Sequence, residues 1–183
     1  MVTTAPPPTV TDQMRRQARQ APDSWIYAVD PAFEEAEDVP GWAVIGAFRV
    51  DERGEISDEF QRNPNYRPTP AALGFPVPAN ELEGALQMAV TGLGGDDQVR
   101  NALREATVFV PHVPGVGIAD LDAGLDRPVV HVFTSDRYLP DPADWPYWER
   151  RPVRELVEPI GDRYLVINPG SALEVRLPAT DLR

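Results

Sequence analysis

The last third of the chain leaves the fewest ways to fold. Three apolar runs, residues 128–133, 164–167 and 172–177, are short, rich in Val, Ile or Leu, and bounded by turn residues. Runs of that length and punctuation form buried or half-buried strands. Between the first two, residues 152–161 read Pro-Val-Arg-Glu-Leu-Val-Glu-Pro-Ile-Gly. Val153, Leu156, Val157 and Ile160 recur at helical spacing, Pro152 suits a first turn, and Gly161 can supply the left-handed residue that ends a helix. Pro159 interrupts the last turn, which predicts a short or kinked helix. Asn168-Pro169-Gly170-Ser171 then predicts a tight turn joining the last two strands.

The rest of the chain reads in order as follows. Residues 1–8 form a Pro- and Thr-rich lead, and Thr9 or Thr11 can cap a helix running to about Gln20. Residues 25–29 and 42–50 predict strands, and Asp51-Glu-Arg-Gly54 predicts a hairpin turn into a more polar strand over residues 55–60. Residues 63–78 contain five prolines. Proline donates no ladder hydrogen bond, so this segment predicts an extended connector, pinned to a core by Tyr66, Leu73 and Phe75. Asn80 caps a predicted helix to about Thr91, a Gly-rich stop follows, and a second short helix runs from Asp96 or Asp97 to about Glu105. Residues 107–110 predict a strand, residues 111–127 a loop, and residues 141–150 a loop holding two tryptophans. The fold class that fits this order is α+β: a mixed, mainly antiparallel sheet with helices packed on one side. The organisation expected is a tail and short helix over residues 1–21, a β-rich part with its connector over 22–78, and an α+β part over 79–183.

The sequence Phe133-Thr-Ser135, the short helix after it, and Tyr164-Leu-Val-Ile-Asn168-Pro-Gly-Ser171 resemble the SseB N-terminal domain family, over roughly residues 80–182. Upstream, Trp42-Ala-Val-Ile-Gly46-Ala-Phe48-Arg49, Asn63-Pro-Asn-Tyr66-Arg-Pro68, Ala72-Leu-Gly-Phe-Pro76 and Ala85-Leu-Gln87 look like the actinobacterial type VII secretion system-associated proteins. The resemblance implies an SseB-like fold and a secretion setting. Its motifs are structural and imply no reaction.

Charge narrows the partners. The chain carries a net charge of −12, and all 17 of its basic residues are arginine. Such a balance argues against a nucleic-acid face and against an anionic membrane surface. It permits a basic protein partner, since complementary fields accelerate encounter. No apolar run approaches the roughly 20 residues that span a bilayer, so membrane insertion is not expected. The N-terminus lacks the order of a secretory signal, which predicts a cytoplasmic protein.

Candidate chemistry is sparse. There is no cysteine, and the two histidines, His112 and His131, share no ligand spacing, so no metal and no cofactor are expected. Gly92-Leu-Gly94-Gly95 opens a helix, but Asp96 and Asp97 would repel a phosphate there. Asp120, Asp122 and Asp126 loosely follow a calcium loop, yet the sixth position is Leu125 and the twelfth is His131. Ser135 and Ser171 stand at strand ends outside any nucleophile motif, where turn or capping roles account for them. The aromatic stretch Trp145-Pro-Tyr147-Trp148 and the acidic run Glu34, Glu35, Glu37 and Asp38 remain as the candidate partner surface, aromatic anchors beside a steering charge. The function expected is a non-enzymatic protein-interaction module: an accessory, chaperone-like or toxin-neutralising immunity protein. Its partner would be a secreted effector, a toxin or a secretion component. The alternative is a small enzyme or ligand-binding domain whose site assembles from distant residues.

Overall fold

The computed structural model describes residues 6–119, 129–141 and 147–182. The chain divides into two compact units, Met1–Pro76 and Val77–Arg183. The first begins with α1 (Asp12–Gln20), capped by the Thr11 hydroxyl accepting the Met14 N–H at 3.2 Å. Strands β1 (Trp25–Val29), β2 (Val44–Val50) and β3 (Ile56–Arg62) form an antiparallel sheet in that order. α1 buries Ala18 against Ile26 and Val50, flanked by Met14 and Ile56. The β2–β3 turn depends on Gly54: its φ is +78°, and a Cβ there would lie 2.8 Å from the Cα of Arg19. Only glycine serves both demands.

The connector is held by polar groups more than by apolar ones. The Asn63 side chain donates to the carbonyls of Gly41 and Val44, and Tyr66 and Thr69 hydrogen-bond to buried Asp30. Leu73, expected as an apolar pin, is 53% exposed. The polar anchorage fixes the chain as far as Thr69, and the turn that follows, closed by the Leu73 N–H on the Thr69 carbonyl and the Phe75 N–H on the Pro70 carbonyl, leaves Leu73 on the outside.

The second unit contains α2 (Glu81–Val90), α3 (Asp96–Glu105), β4 (Thr107–Val113), β5 (Gly117–Ile118), β6 (Val129–Val132), β7 (Trp148–Pro152), α4 (Val157–Ile160), β8 (Tyr164–Ile167) and β9 (Val175–Pro178). β6 and β8 run parallel and β9 joins β8 antiparallel, while β4 lies between β5 and β7. The two small sheets meet where Phe109 and Phe133 exchange backbone hydrogen bonds of 2.8 and 2.9 Å. Leu82 and Leu86 of α2, Leu103 of α3, Val108 and Val110 of β4, and Leu165 and Ile167 of β8 are buried together as its core.

The α+β class and its mainly antiparallel pairing hold, with the strands spread over three small sheets among the described residues. Three local expectations are corrected. Residues 148–152 are strand β7, not the end of a loop and the start of a helix, because their backbone pairs with β4 from Thr107↔Pro152 to Pro111↔Trp148. β4 also runs on through Pro111, whose carbonyl accepts the Ala119 N–H at 3.0 Å. The expected short helix is split into a 3-10 turn, Val153–Glu155, and α4, which ends at Gly161 with φ +67°.

Candidate functional site

At the N-terminus of α2 the buried side chains of Glu83, Thr134 and Asn168 meet exposed Asn80, from elements far apart in sequence. Asn80 caps the helix by accepting the Glu83 N–H at 3.0 Å, and its amide donates to the Thr134 carbonyl at 2.9 Å. The Glu83 side chain is fully buried. One carboxyl oxygen accepts the Ala79 N–H at 2.8 Å, the other accepts the Thr134 hydroxyl at 2.9 Å, and the Arg137 guanidinium lies 3.7 Å away. Asn168 completes the set: its side-chain oxygen accepts the Thr134 N–H at 2.9 Å and its amide donates to the Thr134 hydroxyl at 3.0 Å. To do so its backbone sits at φ +46°, a left-handed conformation that asparagine tolerates better than most residues. Burial raises the Tyr138 phenol pKa, the Glu83 charge raises it further, and Arg137 opposes both.

One residue beyond this set the pattern changes. A cleft of about 440 Å³ opens beside β6 and α2. Buried Leu82, Thr134 and Ser135 form its inner side, and exposed Glu81, Glu105 and Asp136 stand around it. Arg150 lies in the lining as well, its guanidinium 5.4 Å over the Phe109 ring. Ser135 is 8% exposed, and its hydroxyl has no hydrogen-bond partner among the described residues. The expected capping role is absent: Ser135 precedes the 3-10 turn Asp136–Tyr138, but its side chain caps nothing. Ser171 does behave as a turn residue, accepting the Leu173 N–H at 3.0 Å.

The partner surface expected from sequence falls on both units. Glu34, Glu35, Glu37 and Asp38 are all exposed in the first unit, after the short 3-10 turn Pro31–Phe33. Trp145 lies outside the described residues, as do Asp120, Asp122 and Asp126. Tyr147 is 54% exposed. Trp148 is a half-buried residue of β7, its ring edge-on to Phe133 with centroids 5.0 Å apart, so much of it packs inward. Ser135 and Arg150 were not legible as neighbours of a cleft, because β7, which carries Arg150, has no alternating apolar pattern.

The histidines stay apart. His112 approaches Glu149 at 3.4 Å. Burial lowers the His131 pKa, Glu174 raises it in part, and Arg176 adds to the lowering. Among the described residues no group of three or more His, Asp or Glu is arranged to hold a metal ion. No helix there is long and apolar enough to cross a membrane. No family model, curated protein or solved structure matches the chain.

Proposed function

We propose that the chain is a protein-interaction module, with no reaction of its own, that takes a basic protein partner. The observation carrying this reading is the cleft of the second unit, where the carboxylates Glu81, Glu105 and Asp136 outnumber the one guanidinium, Arg150. A net charge of −12 adds a field that draws a basic partner and speeds encounter. The resemblance to type VII secretion system-associated proteins supplies the setting: an accessory, chaperone-like or immunity protein in the cytoplasm, acting on an effector, a toxin or a secretion component. The rival is a small-ligand or enzymatic site, since clefts of roughly 300–1,000 Å³ commonly hold small molecules.

Affinity purification of the tagged chain from its native host, at two ionic strengths and followed by native mass spectrometry, separates the two. A basic protein retained at about 50 mM salt and released near about 0.5 M, where charges are screened within a few ångströms, is the expected result. A bound metabolite with no retained protein would overturn the reading in favour of the rival.

A further inference from the structure

Resting on that reading, we infer that the cleft beside Ser135 receives an arginine side chain of the partner. Its guanidinium would be hydrogen-bonded to the Ser135 hydroxyl and flanked by Glu81, Glu105 and Asp136. The Ser135 hydroxyl is the observation that singles out this place. Buried polar groups are almost always paired within the protein or with an ordered partner. Here the residue is 8% exposed, lines the cleft and bonds to nothing among the described residues, while its neighbour Thr134 is fully engaged. The hydroxyl is closed to solvent as it stands, and a turn about its χ1 to another staggered rotamer would present it to an N–H donor in the cleft.

The charges decide which donor. Three carboxylates against one guanidinium disfavour an anionic ligand and favour a cationic one. Arg150 lies over the ring of Phe109, so its charge is held against one wall. Between the two cationic side chains, a guanidinium carries five donors in a planar fork and is weakly hydrated. It can therefore bond a buried hydroxyl and a rim carboxylate at once. An ammonium group is compact and strongly hydrated, and it loses more on entering.

The test uses the full chain, isotopically labelled, titrated with a blocked Gly-Arg-Gly tripeptide and followed by NMR. Blocked Gly-citrulline-Gly, which is neutral and of the same shape, blocked Gly-Lys-Gly and guanidinium chloride are the comparisons. Saturable shifts at the Thr134 and Ser135 amides with the arginine peptide, and none with the citrulline peptide, are expected. Guanidinium chloride should bind more weakly than the peptide. Ser135→Ala should weaken the arginine peptide about tenfold, the size of a hydrogen bond to a charged group. Glu105→Gln and Asp136→Asn, on the exposed rim, should weaken it about twofold each. Equal binding of the citrulline peptide, shifts centred on Glu34–Asp38, unchanged binding by Ser135→Ala, or no shift at about 50 mM peptide would each overturn the inference. If a basic partner is retained by the Ser135→Ala chain as tightly as by the parent, the inference fails and the broader reading stands. If the arginine peptide binds as expected while no basic protein is retained from the host, the broader reading fails instead.

Discussion

Each unit contains a buried carboxyl group, and the two are finished differently. In the first unit Asp30 is fully buried and each of its oxygens accepts two hydrogen bonds: one takes the Ala32 N–H and the Thr69 hydroxyl, the other the Tyr66 hydroxyl and the Thr69 N–H. Burial pushes its pKa up, but the hydrogen bonds from Thr69, Ala32 and Tyr66 outweigh it and hold Asp30 below the ordinary carboxylate value. In the second unit Glu83 is equally buried and accepts one hydrogen bond on each oxygen, yet next to its partner Thr134 stands the Ser135 hydroxyl, with no partner among the described residues, in the lining of a cleft. A closed network fixes a chain segment. A polar set beside a cleft with one hydroxyl unbonded has a hydrogen bond left to make.

The largest effect should come from breaking the closed network. Asp30→Ala strands the hydroxyls of Tyr66 and Thr69 and the Thr69 N–H, so it should cost about 4 kcal/mol and free the proline connector. Because the chain has two compact units, the loss is best read by hydrogen exchange at Tyr66 and Thr69, with Leu165 and Ile167 as the internal standard. The pH dependence has a definite sign. A carboxyl whose folded pKa lies below its unfolded value, ordinarily 3.8, contributes stability that is present above that value and lost as pH falls through the folded one. The gap between the parent and Asp30→Asn should therefore be flat near neutral pH and shrink below about pH 3.8. A gap that widens on acidification would show that Asp30 is destabilising as a carboxylate, and the contrast with the second unit would collapse.

How much of this was legible follows from how far apart the partners lie. Local signals carried well: Thr11 caps α1, Asn80 caps α2, and Gly161 ends α4. Each needs only a few neighbouring residues. β7 was missed because Glu149, Arg150 and Arg151 have no apolar alternation, and only pairing with β4 makes them a strand. The buried network was missed for the same kind of reason. Asn80, Glu83 and Asn168 reach Thr134 across 54, 51 and 34 residues, so Asn80 reads as an ordinary cap, Asn168 as a turn residue, and Glu83 carries no local signal. Ser135 looked like a cap too, and only the packing around it shows that its hydroxyl has been left unbonded.

A middle-sized effect tests whether the second network is also structural where it is satisfied. Asn168→Ala removes the acceptor for the Thr134 N–H and puts an ordinary residue at φ +46°. Together these should cost about 2–3 kcal/mol. Asn168→Gly, which removes the same hydrogen bonds but tolerates the backbone, should recover about 1 kcal/mol of that loss. Chemical unfolding followed at residues of the second unit gives both numbers. Equal losses for the two variants would mean that the hydrogen bonds to Thr134, and not the left-handed turn, set the cost.

The smallest effect on stability is the sharpest test of the contrast, because its sign is opposite. Ser135→Ala removes a buried hydroxyl that bonds to nothing among the described residues, so no partner is stranded and a desolvation cost disappears. The variant should be as stable as the parent or more stable by up to about 1 kcal/mol. Ser171→Ala provides the matched control, since it deletes the bond to the Leu173 N–H and should lose a fraction of about 1 kcal/mol. A residue that improves the fold when removed, while weakening capture of an arginine peptide, is retained for binding at the expense of stability. Should Ser135→Ala instead lose more than about 1 kcal/mol in unfolding, the hydroxyl is bonded within the folded chain, and the second network is as closed as the first.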